Sequence, residues 1–255
     1  MPQSGGPSIR GLYRYPVKGL SPEPLERVEL RVDDTVPFDR AYAIENGPGR
    51  FDPDHPQYLP KIHFLMLMRD ERLATLQTIF DDASQTLTIL RDGKQVARGQ
   101  LTMPLGRQMI EQFLAAYMDT ELRGAPKIVF SEGHSFSDVA VKCLHIVNLA
   151  SVRELERAVG NAVNPLRFRP NIVIDGVAPW EEFSWIGSEI ALGGAKLAVL
   201  ERTARCAATN VDPDTGKRDM AIPAVLQRTW GHSDFGIYAR VRKDGAIAIG
   251  DAITV

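Results

Sequence analysis

Cysteine is scarce in this chain. Only Cys143 and Cys206 occur in 255 residues, and two thiols cannot build a disulfide framework. Neither stands in a Cys-x-x-Cys or Cys-His spacing, and the five histidines, at 55, 63, 134, 145 and 232, show no paired spacing, which leaves zinc little to bind. His145, on the Val141/Cys143/Val147 face, reads as a core or strand residue. Neither a P-loop nor a Gly-x-Gly-x-x-Gly turn occurs, which removes the usual nucleotide motifs. No apolar run approaches the roughly 20 residues of a membrane span, and Met1–Ser8 lacks the charged-then-apolar pattern of a secretory signal. A formal net charge of −2 favours neither a nucleic-acid surface nor an acidic tail. These absences predict a cytoplasmic protein whose partners are neither nucleic acid nor membrane. Any anionic ligand must be held by local cations.

What is present suits one large domain or two modest ones, with interior enough for a substantial core. Ile9–Tyr15, Leu25–Val32 and Phe38–Ile44 alternate as strands, with Pro16-Val17-Lys18-Gly19-Leu20 turning the first and presenting Lys18 at its end. Arg40 interrupts the third, which places its guanidinium on a solvated face, the default reading, or pointing into a site. Asn46–Tyr58 is an irregular loop. Ile62–Met68 is a continuous apolar run of strand length, which by periodicity fits a strand or a buried helix segment. Leu73–Phe80 and Thr86–Leu90, then the Asp92-Gly93 turn into Val96, form a meander. Apolar residues at 105, 109, 110, 113, 114 and 117 predict a helix after Pro104.

Gly124-Ala125-Pro126 breaks that pattern and divides the chain into domains at 8–124 and 125–255. Beyond it come strands at Lys127–Phe130 and Val139–Val147 and a helix capped by Asn148 or Ser151 and stopped by Gly160. The strand Ile172-Val173-Ile174 follows, then a hairpin at Gly193-Gly194, a short helix near Ala221–Arg228, and strands at Gly236–Val241 and Ala246–Ile249. Many short strands with few helices predict a mainly β (α+β) fold, a barrel or barrel-like sheet decorated by helices.

Arg205-Cys206-Ala207-Ala208-Thr209-Asn210-Val211-Asp212-Pro213-Asp214-Thr215-Gly216 places a thiol beside a fixed cation on a shaped loop. The stretch reads as a reactive cysteine or as a strand end followed by a surface turn. Asp212, Asp214 and Gly216 open like a calcium loop, but Lys217 and Pro223 stand where an EF-hand needs Gly and Glu. A cysteine hydrolase would need a base, and nothing in the sequence places His134 or His232 beside Cys206. Cys143 reads as a small buried hydrophobe. Lys18, Arg40, Arg167 and Arg169 stand at strand ends and loop entrances. Singly each reads as surface; with Cys206 they describe a thiolate, a form that cations favour, and an anion clamp. That combination suits a phosphorylated, metal-bearing cofactor.

These residues resemble the MOSC proteins, named for the molybdenum cofactor sulfurase C-terminal domain, and most closely their two-part, amidoxime-reducing members. Tyr15-Pro16-Val17-Lys18 and Phe38-Asp39-Arg40 resemble the family's N-terminal β-domain. Phe136-Ser137-Asp138, Phe168-Arg169-Pro170-Asn171 and the Cys206 stretch resemble the MOSC core. The resemblance implies a MOSC-type β-barrel preceded by a β-rich MOSC N-terminal domain. It also implies a molybdenum-pyranopterin cofactor, with Cys206 as molybdenum ligand and catalytic centre. Lys18, Arg40, Arg169 and Asn171 would hold pterin and phosphate, with Ser137, Asp138 and Thr209 nearby. Gly19 departs from a serine common in relatives, so that contact is missing or supplied by Ser21. Val139-Ala140-Val141 replaces the usual small polar and proline residues.

Two functions follow from the resemblance. One is an oxidoreductase that reduces small N-hydroxylated compounds, hydroxylamines or amidoximes. Its electrons would come from a separate flavin, iron-sulfur or haem protein, since this chain has no iron-sulfur cluster of its own, and pyridoxal phosphate is not expected. The other is a persulfide or molybdenum-cofactor carrier without redox turnover.

Overall fold

A computed structural model describes residues 6–47 and 49–255. Residues 1–5, most of the segment read for a secretory signal, and Pro48 in the Asn46–Tyr58 loop lie outside the described residues. Strand β1 (Ser8–Arg14) buries Ile9 and Leu12 and leads to β2 (Glu23–Leu25), β3 (Arg27–Leu30) and β4 (Tyr42–Asn46). The meander of β5 (Gln77–Asp81), β6 (Thr86–Arg91) and β7 (Lys94–Gln100) precedes helix α1 (Pro104–Tyr117). Next come β8 (Pro126–Phe130), β9 (Leu144–Asn148), α2 (Leu149–Val159) and β10 (Ile172–Asp175). The chain ends with β11 (Glu189–Leu192), β12 (Ala195–Ala204), α3 (Ile222–Trp230), β13 (Asp234–Lys243), β14 (Gly245–Ala248) and β15 (Ile253–Thr254).

The main sheet has eight strands in the order β15-β11-β12-β13-β9-β10-β1-β2. It curls into a half-barrel whose sides are drawn together by backbone bonds: Ile9 N donates to Asp251 O at 3.0 Å and Ile253 N to Pro7 O at 2.9 Å. β9 and β10 pair in parallel, with α2 as their crossover, as parallel neighbours require. Their apolar runs fit that central place, because strands covered on both faces need no polar alternation. Inside the curl, Ile146, Ile172, Ile174, Leu197, Ile237 and Val241 form one core. A second core lies under α1 and the meander, and a third joins α2 to α3. The fold is therefore mainly sheet with three α-helices among the described residues.

Strand pairing crosses the expected division at residue 124 in both directions. β1 and β2 lie in the main sheet, β3 pairs with β14, and β4 pairs with β8. A pocket built from both halves is thereby given a continuous backbone frame.

Several expected strands are shorter or absent, each for a local reason. Ile62–Met68 is not a strand: a 3-10 turn, Lys61–His63, is followed by a single bridge from Phe64 to Glu45. The buried Asp70 carboxylate then accepts Met66 N at 2.9 Å, so a side chain replaces the ladder. Glu71–Thr75 is also a 3-10 turn. The expected Leu25–Val32 strand splits at Glu26 because its two parts pair with different sheets. Phe38 and Arg40 have φ of 63° and 53°, a left-handed backbone that ends alternation until Tyr42. The strand expected from Val139 begins only at Leu144. Asn148, not Ser151, caps α2 by accepting Ala150 N at 2.9 Å, while Ser151 donates to the buried Glu182.

Candidate functional site

β12 ends at Ala204, and Arg205 N is held by Ser233 O at 2.9 Å. Cys206 then heads a 3-10 turn, Ala207–Asn210. Thr209 closes that turn: its N and Oγ1 both donate to Cys206 O, at 3.1 and 2.9 Å. Thr209 therefore braces the cysteine from behind and does not line the cavity. The Asp-Pro-Asp-Thr-Gly segment is a second brace. Asp212 Oδ1 accepts Asp214 N, Thr215 N and Thr215 Oγ1 at 3.1, 2.8 and 2.9 Å. Its other oxygen takes Arg167 Nη2 at 2.9 Å, and Asp219 takes the same nitrogen at 2.8 Å. Arg167 is thus neutralised by two carboxylates and belongs to the frame, not to an anion clamp.

Cys206 faces a cavity of about 310 Å3 at the seam between the curled sheet and the N-terminal half. Lys18, Arg40, Ser137, Asp138, Arg169 and Asn171, all named from the sequence, share its wall with Cys206. The solvated reading of Arg40 is corrected: its side chain is only 14% exposed and pairs with Asp39. Burial opposes its charge, but Asp39, Tyr15 and Asp138 together outweigh burial and raise its pKa. Tyr15, fully buried, lies between two cations, with Arg169 Cζ 4.0 Å and Arg40 Cζ 4.8 Å from its ring centroid. The negative ring face lets two guanidiniums approach.

Lys18 is buried, with Nζ 2.8 Å from Phe136 O and 2.5 Å from Asp138 Oδ1. Burial lowers its pKa, partly offset by Asp138. Asp138 stands half-exposed at the mouth, where burial would raise its pKa but Lys18 and Lys61 hold it far below the usual carboxylate range. Three expected contacts are committed elsewhere. Asn171 Oδ1 accepts His145 N at 3.0 Å and Nδ2 donates to Tyr13 O at 3.2 Å, which stitches β9 to β1. Ser137 Oγ donates to Val139 O at 2.6 Å. Ser21 bonds Thr78 Oγ1 at 2.8 Å and is not on the cavity wall. Gly19 has φ 86°, and a Cβ there would lie 2.9 Å from Leu65 O, so a serine side chain has no room.

The structure adds residues that spacing did not single out. Lys61 Nζ lies 3.3 Å from Cys206 Sγ and 3.6 Å from Asp138 Oδ2. His145 and Tyr238 also reach the wall. His145 Nε2 sits 3.3 Å from Phe235 O and 3.5 Å from Arg205 Nη1, and burial together with Arg205 drives its pKa well below the ordinary value. Cys143 lines the cavity too, its thiol pushed up to about 12 by burial.

Among the described residues, Arg169 and Arg205 have no carboxylate within 4.0 Å. Arg169 donates to Leu20 O and Arg205 to Phe168 O, both at 2.8 Å. Arg169 Nη2 and Arg205 Nε remain buried with no acceptor. Burial lowers both, Arg169 to about 10. A buried cation with an unused donor requires an anion. These groups, facing a thiol, fit a phosphorylated ligand that carries a soft metal. No group of three His, Cys, Asp or Glu side chains among the described residues could hold a metal by itself.

The MOSC domain family matches residues 132–254. Mitochondrial amidoxime reducing component 2 of Bos taurus is 32% identical over 120 residues, 42% of this chain and 35% of that protein. Mitochondrial amidoxime-reducing component 1 of Homo sapiens is 31% identical over the same length, and the chain spans about a third of these relatives. Molybdenum cofactor sulfurase of Caenorhabditis elegans is 25% identical over 249 residues, 93% of this chain and 34% of that protein. The crystal structure of the YUAD protein from Bacillus subtilis covers 97% of this chain and 93% of its own, with 13% identity and a TM-score of 0.45. No helix among the described residues is long and apolar enough to cross a membrane. Residues 132–254, which carry Asp138, Arg169 and Cys206, are the part of the chain that matches the MOSC domain.

Proposed function

We propose that the chain binds a molybdenum-pyranopterin cofactor and reduces small N-hydroxylated compounds, with electrons from a separate protein. The observation that carries this reading is the pair of buried guanidiniums, Arg169 and Arg205, each with an unsatisfied nitrogen and no carboxylate partner, on the cavity that Cys206 faces. Cys206 is its metal ligand. Arg169, Arg205, Lys18 and Arg40 supply the cationic wall for phosphate and pterin, and Asn171, Ser137 and Thr209 set the wall by holding backbone. When bound, the cofactor supplies the two-electron chemistry. The chain's own part is to fix the sulfur through Thr209 and Arg167, to neutralise the ligand, and to keep the carboxylate of Asp138 ionised between two ammoniums. Residues 8–124 and 125–255 act as the N-terminal β-rich part and the MOSC barrel, joined through the shared site.

Expression in a host that makes the cofactor, followed by mass spectrometry of metal and pterin, tests the reading. Cys206→Ser should lose molybdenum and N-hydroxy reduction; retention of both refutes it. Persulfide carriage is the second reading, favoured by the alignment of nearly the whole chain with a relative named molybdenum cofactor sulfurase. A preparation with persulfide on Cys206 and neither metal nor pterin would select it.

A further inference from the structure

Lys61 is the first residue of the turn Lys61–His63 and lies outside the matched MOSC region. Its segment is clasped to the cysteine loop. Arg218 donates to Leu67 O and Met68 O at 3.2 and 2.7 Å, to Glu71 at 3.0 Å, and to Ala207 O at 3.0 Å. Arg123 donates to Ile62 O. The ammonium is therefore delivered to the cavity mouth by a braced segment, a prerequisite for recognition.

A lysine ammonium has three N–H groups. One reaches Cys206 Sγ at 3.3 Å, and a second faces Asp138 Oδ2 at 3.6 Å. The side chain is 29% exposed, and the third N–H has no acceptor among the contacts of the described residues. Asp138 is held more closely by the buried Lys18, at 2.5 Å, and so does not fully neutralise Lys61. Once the sulfur's charge is taken up by a bound group, the Lys61 ammonium is left facing an incoming ligand. Beside it, Met66 and Leu67 line the same cavity and supply an apolar surface. Asp138 repels an anion, but with Lys18 it forms an ion pair, which leaves the Lys61 ammonium beside the apolar surface of Met66 and Leu67.

Resting on the reductase reading above, we propose that the substrates are N-hydroxylated compounds with an apolar body and an anionic substituent, and that Lys61 recognises the anion. The cofactor-loaded chain is titrated by calorimetry with two non-reducible probes, benzamide and its para-carboxylate. The carboxylate binds about tenfold tighter, as one charge-assisted contact provides. Lys61→Met and Lys61→Gln each bring the ratio to within about twofold, and Lys61→Arg keeps it. The matching amidoximes show the same preference in KM. A loaded wild type that binds both probes equally, or a preference that survives both neutral variants, overturns the anion assignment alone. A chain that loads no molybdenum overturns the reductase reading, and this inference with it.

Discussion

Arg167, from the turn before β10, holds the Asp212 carboxylate at 2.9 Å while 2% of its own side chain is exposed. This ion pair ties the loop that carries Cys206 to the β-sheet. Replacing a buried cation strands its partners, at about 3–5 kcal/mol for a fully buried pair. Asp219 is 43% exposed, so solvent recovers part of that. Arg167→Met should cost about 2 kcal/mol in urea unfolding, with impaired cofactor retention. An unchanged midpoint would show that the loop is held without it.

Arg169 behaves in the opposite way. In the cofactor-free chain it is a buried charge with no carboxylate and one unused donor, so Arg169→Met should leave that form as stable as wild type or raise it by about 1 kcal/mol. The same variant should retain less than about a tenth of the pterin, since a charge-assisted contact is lost. Marked destabilisation without cofactor would assign Arg169 to the frame.

Gly19 tests the absent hydroxyl next to Lys18. With φ 86° and Leu65 O only 2.9 Å from a built Cβ, Gly19→Ser should lose about 1–3 kcal/mol. It should weaken cofactor retention by moving Lys18. Stability equal to wild type would mean that the turn has room to adapt.

His145 predicts acid sensitivity. Its folded pKa lies well below the ordinary 6.5 because burial and the Arg205 charge disfavour protonation. Below 6.5 the unfolded chain therefore takes up a proton that the folded chain refuses, and stability falls with pH in that window. His134, lowered by burial and Lys142, adds in the same direction. Asp138, depressed by its lysines despite burial, contributes stability above its unfolded pKa that is lost as pH falls toward its folded value. Unfolding midpoints from pH 7 to pH 5 should decline, and His145→Gln should flatten the slope. An unaltered slope would remove His145 as the cause.

Local pattern made much of the fold legible. The apolar stripe of α1, the Gly193-Gly194 hairpin and the meander depend on periodicity and turn chemistry, which a sequence displays directly. Ile62–Met68 was not legible in this way, because an apolar run records burial, not geometry. There Asp70, four residues beyond Met66, supplies the hydrogen bond that a strand neighbour would have given. Arg167 and Arg169 stand two positions apart, both beside aromatic or apolar residues. Their different fates depend on Asp212 and Asp219, more than forty residues away.

The sequence by itself determined the chemical inventory: a cysteine on a stiff Asp-Pro-Asp-Thr-Gly loop, a lysine after Tyr-Pro-Val, and arginines at strand entrances. Residue type and nearest neighbours set those properties. Tertiary structure alone decided which cations are already neutralised and which are left charged. It placed Lys61 against Cys206 across 145 positions of chain. Electrostatic pairing depends on distance in space, and no local spacing in the sequence encodes that distance.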